Sequence, residues 1–292
     1  METAEEVAKE MKVEAKKYGL TYEEYDDGSK TDIDILDKML HDPKLPEIKQ
    51  LVIGCWSFES GDCSELVKGM VEHKEKFAHI EGLFWGDIDY EESEISWIEQ
   101  TDLGPLLDGM PQLKDLKIKG TNGLGIGRTS RPNLRSLEII SGGLPASVIE
   151  DVIQSDFPNL EKLILYVGID EYGFDGTIDQ FTPLFSKEKF PKLTYLGIVN
   201  AEEQDQIVQM FLDSDMLPQL EIMDISCGVL TDKGGQLLLD HVEKIKRLKL
   251  IDMRYNYLSE EMRAKLRKLP VKVDVNEAEE YDDEWMSPMI TE

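Results

Sequence analysis

A repeated six-residue pattern, L-x-x-L-x-I, constrains the fold of this chain more than any other feature of its sequence. Copies of the pattern, some with related apolar residues in these positions, begin at Ile48, Ile80, Leu113, Leu134, Leu160, Leu193, Leu220 and Leu248. They follow one another at intervals of 32, 33, 21, 26, 33, 27 and 28 residues. Residues two apart on a strand point to the same face. Each copy therefore predicts one strand, whose apolar face only neighbouring copies can bury.

The last copy extends the pattern further. Leu248, Ile251, Met253, Asn256 and Leu258 fill all five positions of L-x-x-L-x-L-x-x-N-x-L, the leucine-rich-repeat pattern. Segments between the copies, such as 145–155 and 231–245, have the periodicity of amphipathic helices. The sequence therefore predicts an α/β fold, a right-handed leucine-rich-repeat solenoid with a parallel concave sheet and convex helices.

The two ends of the chain differ from the repeats. Residues 1–45 predict an N-terminal helical cap, with one weakly amphipathic helix over 3–18 and a second through DIDILDKML. Residues 46–276 form the solenoid. Residues 277–292, with seven acidic residues and no basic one, predict an acidic C-terminal tail. We expect this tail to be mobile unless its apolar residues anchor it, namely Tyr281, Trp285, Met286, Met289 and Ile290.

The charge and the two ends of the sequence bear on partners and location. The chain has 32 Lys and Arg against 60 Asp and Glu, a net charge of −28, which repels phosphate backbones and anionic lipids. No apolar run is long enough to cross a membrane, and the N-terminus lacks the features of a signal peptide. We expect a cytoplasmic protein that binds neither nucleic acid nor membranes. The three cysteines match no zinc pattern and read as reduced core thiols: Cys55, Cys63 and Cys227.

The segment from Leu83 to Gly127, LFWGDIDYEESEISWIEQTDLGPLLDGMPQLKDLKIKGTNGLGIG, resembles a family of bacterial cytosolic leucine-rich-repeat proteins. RPNLRSLEIISGGLPASVIEDVIQSD and YNYLSEEMRAKLRKLP are similar to it as well. The likeness covers roughly residues 48–276 and is most specific between 83 and 143. It implies a bacterial source and ribonuclease-inhibitor-like repeats. It implies no assigned role and supplies no catalytic residues.

Three groups of residues are candidate sites of chemistry. The acidic run 87–102 is either a cation site or a solvated loop, which Trp97 and Ile98 would pin to the repeats. The glycines of 120–127 fit a tight turn better than a phosphate-binding loop, because the motif has no lysine. The histidines lack the spacing of a metal or catalytic motif: His41, His73, His79 and His241. We therefore expect no enzyme, no metal and no cofactor.

The concave face is the best candidate for function. The alternation of the strands places an apolar set on it, comprising Phe84, Ile140, Ile164, Tyr166, Tyr195 and Val199. An apolar centre with a charged rim is typical of a binding patch. The predicted function is a non-catalytic module that binds a protein partner through this face. Two alternatives stay open: an inserted loop covers the patch, or an enzyme or small-ligand or cation site lies between this face and the 86–102 or 168–180 insertion.

Overall fold

The computed structural model describes residues 15–26, 28, 30–59, 61–279 and 286–291. The strands in this part of the chain are β1 (Ala15–Tyr18), β2 (Gln50–Ile53), β3 (Gly82–Trp85), β4 (Asp115–Lys119), β5 (Ser136–Ile140), β6 (Lys162–Gly168), β7 (Tyr195–Ala201), β8 (Ile222–Asp224), β9 (Leu250–Asp252) and β10 (Lys272–Asp274). The α-helices are α1 (Tyr22–Asp26), α2 (Asp32–Leu40), α3 (Ser64–Glu72), α4 (Gly104–Asp108), α5 (Ala146–Gln154), α6 (Gln204–Asp213), α7 (Asp232–Asp240), α8 (Val242–Ile245) and α9 (Glu260–Leu266).

The chain divides into two compact α/β units. The first takes residues up to 140 together with 150–156, and the second takes 141–149 and 157–291. In the first unit, β1 to β5 pair in parallel and in chain order. In the second unit, β6 to β10 do the same. Each unit is thus a row of parallel strands, as the repeat pattern predicts.

The predicted register of the repeats is confirmed. All eight L-x-x-L-x-I segments contain a strand, and the second and third apolar positions of each are buried. Leu163 and Leu165 are both 0% exposed, as are Leu196 and Ile198. Equivalent positions face one another across strands, as Leu196, Met223 and Ile251 do. A continuous apolar core therefore runs behind the strands of each unit.

Polar side chains complete the connections between repeats. Thr231 and Ser259 are the N-caps of α7 and α9, since their hydroxyls accept hydrogen bonds from Lys233 N and Met262 N. Asn256 is 1% exposed, and its carboxamide accepts from Leu230 N at 3.0 Å and donates to the carbonyl of Ile225 at 3.0 Å. It thereby ties one repeat to the next, which explains the asparagine in the pattern.

The N-terminal cap differs from the predicted pair of helices. The second predicted helix is present as α2, but residues 15–18 form the strand β1 and not the end of a helix. The amphipathic pattern there was too weak to outweigh the sheet edge, where β1 pairs with β2 from Ala15↔Gln50 to Tyr18↔Ile53. Residues 3–14 of the predicted helix lie outside the described residues. Among the described residues, no helix combines the length and apolar character needed to cross a membrane.

Candidate functional site

The structure places most of the predicted apolar patch out of reach of solvent. Four of its six residues are 5% exposed or less, namely Phe84, Ile140, Ile164 and Val199. Tyr166 and Tyr195 are half-buried. The sequence left open whether the patch is covered, and these four side chains are covered. Whether any of the six contacts a partner stays a prediction.

Neighbouring side chains explain part of this burial. In the first unit, the Lys117 ammonium lies 5.1 Å from the centre of the Phe84 ring and pairs with Glu138 at 3.2 Å. In the second unit, a Cβ on Gly197 would lie 3.2 Å from Ile164, so Ile164 packs over this glycine. The sequence alternation identified the face of these residues correctly but not the side chains that lean over them.

The strand register also separates the two tyrosines. Tyr195 is opposite Lys162, whereas Tyr166 is opposite Val199, four residues further along the strands. At about 3.3 Å per residue this offset is about 13 Å. The two tyrosines therefore lie at different levels of the sheet.

We call the side of β7 that carries Tyr195, Gly197 and Val199, with its register partners on β6 and β8–β10, the Tyr195 face. Its first level is an apolar row of three half-buried residues, Tyr195, Ile222 and Leu250, in register on neighbouring strands. The Lys162 ammonium lies 5.2 Å from the centre of the Tyr195 ring at one end. Exposed Lys272 pairs with Leu250 at the other.

The predicted site does not include Ile222 and Leu250, because most of its residues lie on the strands between 134 and 199, where apolar residues are more numerous. The register was the missing signal, because it sets Tyr195, Ile222 and Leu250 side by side. Strands in a sheet lie about 4.8 Å apart, so the apolar row is about 10 Å long.

The second level of the Tyr195 face is a row of carboxylates, Asp224, Asp252 and Asp274. Asp224 is 6% exposed and accepts hydrogen bonds from the Tyr195 hydroxyl at 2.8 Å and the Ser226 hydroxyl at 2.7 Å. Arg254 donates to Asp252 at 2.6 Å and 3.0 Å. Every carboxylate of this row except Asp224 thus has a nearby cation, since Arg254 also lies 3.8 Å from Asp274.

Electrostatics distinguish the members of this row. Burial, and next the charge of Asp252, raise the pKa of Asp224 to about 6. The bidentate bond to Asp252 raises the pKa of Arg254 above its ordinary value, so this residue stays charged. Asp224 therefore titrates close to neutral pH, and it is bonded to the aromatic member of the apolar row.

Residues 286–291 lie against the C-terminal ends of β7–β9. The Asn200 carboxamide donates to the carbonyl of Ile290 at 2.6 Å and accepts from its N–H at 2.8 Å. Met289 N donates to the carbonyl of Cys227 at 2.9 Å. The Tyr257 hydroxyl donates to the carbonyl of Ser287 at 2.9 Å and accepts from its N–H at 3.2 Å. The end of the chain is thus anchored, although Tyr281 and Trp285 lie outside the described residues.

The 86–102 insertion of the first unit is fixed by buried polar contacts. Gln100, 4% exposed, accepts from the Trp85 indole at 3.0 Å and donates to the carbonyl of Lys119 at 2.9 Å. Ile98 is buried, as predicted, but Trp97 is 66% exposed, so its side chain does not anchor the insertion. Ile95–Trp97 is a single 3-10 turn with Ile95 buried, and the next residue but one points outward.

The glycine-rich segment 120–127 is a turn, as the preferred interpretation held. Gly120 has φ +85°, and a Cβ there would lie 2.6 Å from Ile98. Only glycine fits this close approach. The 168–180 insertion of the second unit packs on 142–146, where Ala146 N donates to Asp175 at 2.7 Å.

Histidines and cysteines of the described chain have structural environments. The Nδ1 atoms of His41, His73 and His241 lie 2.9–3.0 Å from carbonyls four residues earlier, at helix ends. Burial raises the pKa of Cys55 and of Cys63 to about 12, so both remain thiols. Among the described residues, no group of three or more His, Cys, Asp or Glu could hold a metal ion.

A pocket of the second unit lies away from the sheet. It has a volume of about 540 Å³ and is lined by Asp179–Ser186 side chains and by helix α6, including Phe185, Gln206 and Met210. It contains no residue of the Tyr195 face. This pocket therefore does not support the small-ligand alternative, which required a pocket beside the sheet face.

Comparisons with known proteins place the chain in a family. No protein-family model and no curated protein matches it. It is similar to a solved structure, the crystal structure of a Bacteroides fragilis protein determined as a structural-genomics target. The two share 63% sequence identity and a TM-score of 0.91, over 99% of this chain and 81% of the other. The chain therefore belongs to the same family as this Bacteroides fragilis protein.

Proposed function

We propose that the chain is a non-catalytic protein-interaction module that binds a protein partner through the Tyr195 face. We further propose that its repeats are ribonuclease-inhibitor-like leucine-rich repeats and that it acts in the cytoplasm. Eight strands in the predicted register support the repeat assignment, together with the buried Asn256 in the asparagine position. Repeat arrays of this kind offer extended surfaces for binding.

The observation that carries the proposal is the apolar row. Tyr195, Ile222 and Leu250 are half-buried side chains in register on three strands, with a lysine at each end. A few central aromatic and aliphatic residues within a polar rim supply most of the energy of a protein interface. The row has this composition, and the Asp224–Tyr195 hydrogen bond holds its aromatic ring in place.

Affinity capture with matched variants tests the proposal. Ile222→Glu places a charge in the middle of the apolar row, and Ile33→Glu makes the same change at a 41% exposed isoleucine of α2. The tagged chain and both variants are used on a lysate of the organism that encodes it, with bound proteins identified by mass spectrometry.

We expect Ile33→Glu to retain the partner and Ile222→Glu to lose at least about 30-fold in affinity, the effect of about 2 kcal/mol at a hot spot. Thermal melts of the two variants check that both fold. Equal capture by both variants would place the binding surface elsewhere, and the exposed Trp97 would then be examined first.

A further inference from the structure

We propose that the C-terminal ends of β7–β9 form a groove that binds the main chain of a short polypeptide segment, and that residues 286–291 occupy this groove in place of a partner's segment. The proposal rests on the proposed interaction function and deepens it. It names the class of partner, a short segment bound through its main chain, and the way the chain's own end regulates access to it.

Three successive repeats each contribute one residue to the groove. Asn200 is in β7, Cys227 follows β8 and Tyr257 follows β9. Along the segment, Ser287 contacts Tyr257, Met289 contacts Cys227 and Ile290 contacts Asn200. The segment thus crosses the repeats in reverse order.

All five hydrogen bonds engage main-chain groups of the segment. They are made by the N–H and carbonyl of Ser287, the N–H of Met289, and the N–H and carbonyl of Ile290. Main-chain bonds give affinity without regard to side-chain identity, as in other sites for extended peptides. The groove is therefore suited to a segment defined by its conformation.

The protein side of the groove is rigid where it binds the segment. Asn200 is fully buried and has φ 58°, and Cys227 has φ 62°. These left-handed residues occupy the same level of their repeats, four residues after the paired Leu196 and Met223. The Asn200 carboxamide donates to the carbonyl of Ile290 and accepts from its N–H, which a buried aliphatic side chain cannot do.

The side chains of the segment contribute less to the choice of partner than its main-chain hydrogen bonds do. Pro288 is buried, whereas Ser287 is exposed and Met289 is 51% exposed. A buried proline, with its fixed φ, suits one particular path of the main chain. We therefore expect the partner segment to carry a proline at the position of Pro288 and to vary at the two flanking positions.

A partner must compete with the chain's own end for the groove. Six residues separate Glu279, bonded to the Asn256 carbonyl at 3.0 Å, from Met286. A short connection gives the tethered segment an effective concentration of about 1 mM. If the tethered segment has an intrinsic Kd of about 0.1 mM for the groove, a competing peptide would bind about tenfold more weakly than it binds the free groove.

The experiment uses full-length variants and a fluorescein-labelled peptide of residues 286–292, MSPMITE. Met289→Pro removes the N–H that bonds to Cys227, and Met289→Ala removes the same side chain but keeps the N–H. Asn200→Asp keeps the acceptor but replaces the donor to Ile290 by a second carboxylate oxygen. Fluorescence anisotropy measures peptide binding, and hydrogen exchange measures protection of the Ile290 amide, which every variant retains.

We expect the peptide to bind Met289→Pro about tenfold more tightly than the wild type or Met289→Ala, and not to bind Asn200→Asp. Amide protection at the end of the chain should be lost in Met289→Pro and Asn200→Asp only. Equal binding to all variants, or none to Met289→Pro, would overturn the proposal. If Ile222→Glu still abolished partner capture in that case, the interaction function would stand without this groove.

Discussion

Asp224 shows how a single side chain on the Tyr195 face departs from its ordinary chemistry. It is buried beside a second carboxylate, Asp252, whose own charge is balanced by Arg254. Asp224 has hydroxyl partners in Tyr195 and Ser226, but its nearest charge is that of Asp252. The resulting raised pKa links the protonation of one residue to the stability of the face.

The pH dependence of unfolding should reveal this residue. The pKa of Asp224 is about 6 in the folded chain and near 3.8 when unfolded. The folded state therefore holds this proton more tightly, and the stabilisation it gives is complete below pH 4 and lost as pH rises through 6. A difference of about two pKa units corresponds to about 3 kcal/mol.

Asp224→Asn removes this titration while keeping the shape of the side chain. We expect the variant to be more stable than the wild type at pH 7.5, by up to about 3 kcal/mol, and to lose this advantage at pH 4. Urea unfolding at both pH values measures the difference between the two chains. An advantage that does not change with pH would show that Asp224 is not the titrating group.

A core position of the repeat provides a second prediction at this scale. Leu163 is 0% exposed and occupies the second apolar position of its copy. Leu163→Ala should lower the free energy of unfolding by about 2–5 kcal/mol, the cost of a cavity in a packed core. Thr194→Ala, at a half-buried position before β7, is a control that urea unfolding should barely distinguish from the wild type. A small effect of Leu163→Ala would mean that the core is loosely packed there.

Among the elements, those specified by periodicity could be predicted and those specified by tertiary contacts could not. The strands and their buried positions follow from the six-residue pattern, and the caps at Thr231 and Ser259 from local chemistry. β1 could not be predicted, because four residues acquire strand structure only by pairing with β2. The exposure of Trp97 depends on a 3-10 turn that leaves no periodic signal.

The candidate site was predicted only in part for the same reason. Alternation along one strand assigns residues to a face, but the register that sets Tyr195, Ile222 and Leu250 side by side appears only in the structure. It does not say which side chains lean over their neighbours, as Lys117 does over Phe84. Nor does it reveal that residues 286–291 bond to Asn200, 90 positions earlier in the chain.

The anchoring of the 86–102 insertion can be tested by one substitution. Gln100→Ala leaves the Trp85 indole N–H and the Lys119 carbonyl without their buried partner. Each unsatisfied group costs about 1–3 kcal/mol, so we expect a loss of at least about 2 kcal/mol in urea unfolding. Glu91→Ala, on the exposed part of the same insertion, should have little effect. Equal stabilities of the two variants would show that the insertion is held by other contacts.

For the molecule as a whole, charge sets the class of partner. A net charge of −28 opposes binding to a polyanion, and the two lysines of β4 are paired within the chain. Lys117 pairs with Glu138 and Lys119 donates to the carbonyl of Ile88. We therefore expect a partner with a basic or neutral surface and not a phosphate backbone.

The absence of nucleic-acid binding is therefore a prediction with a simple measurement. In an anisotropy titration of labelled duplex DNA at 150 mM salt, we expect no binding at micromolar protein concentrations. The same titration at low salt detects any weak electrostatic contact. Submicromolar affinity at 150 mM salt would contradict the account of charge given above.

The central claim is that a protein partner contacts the Tyr195 face, and site-specific crosslinking tests it most directly. A photoreactive benzoylphenylalanine replaces exposed Lys272, at the end of the apolar row, or exposed Lys187, before β7 and next to the pocket at α6. After capture of the partner and irradiation, we expect a crosslinked adduct from position 272 and none from position 187. An adduct from position 187 alone would show that the partner binds on the helical side, and the claim would be wrong.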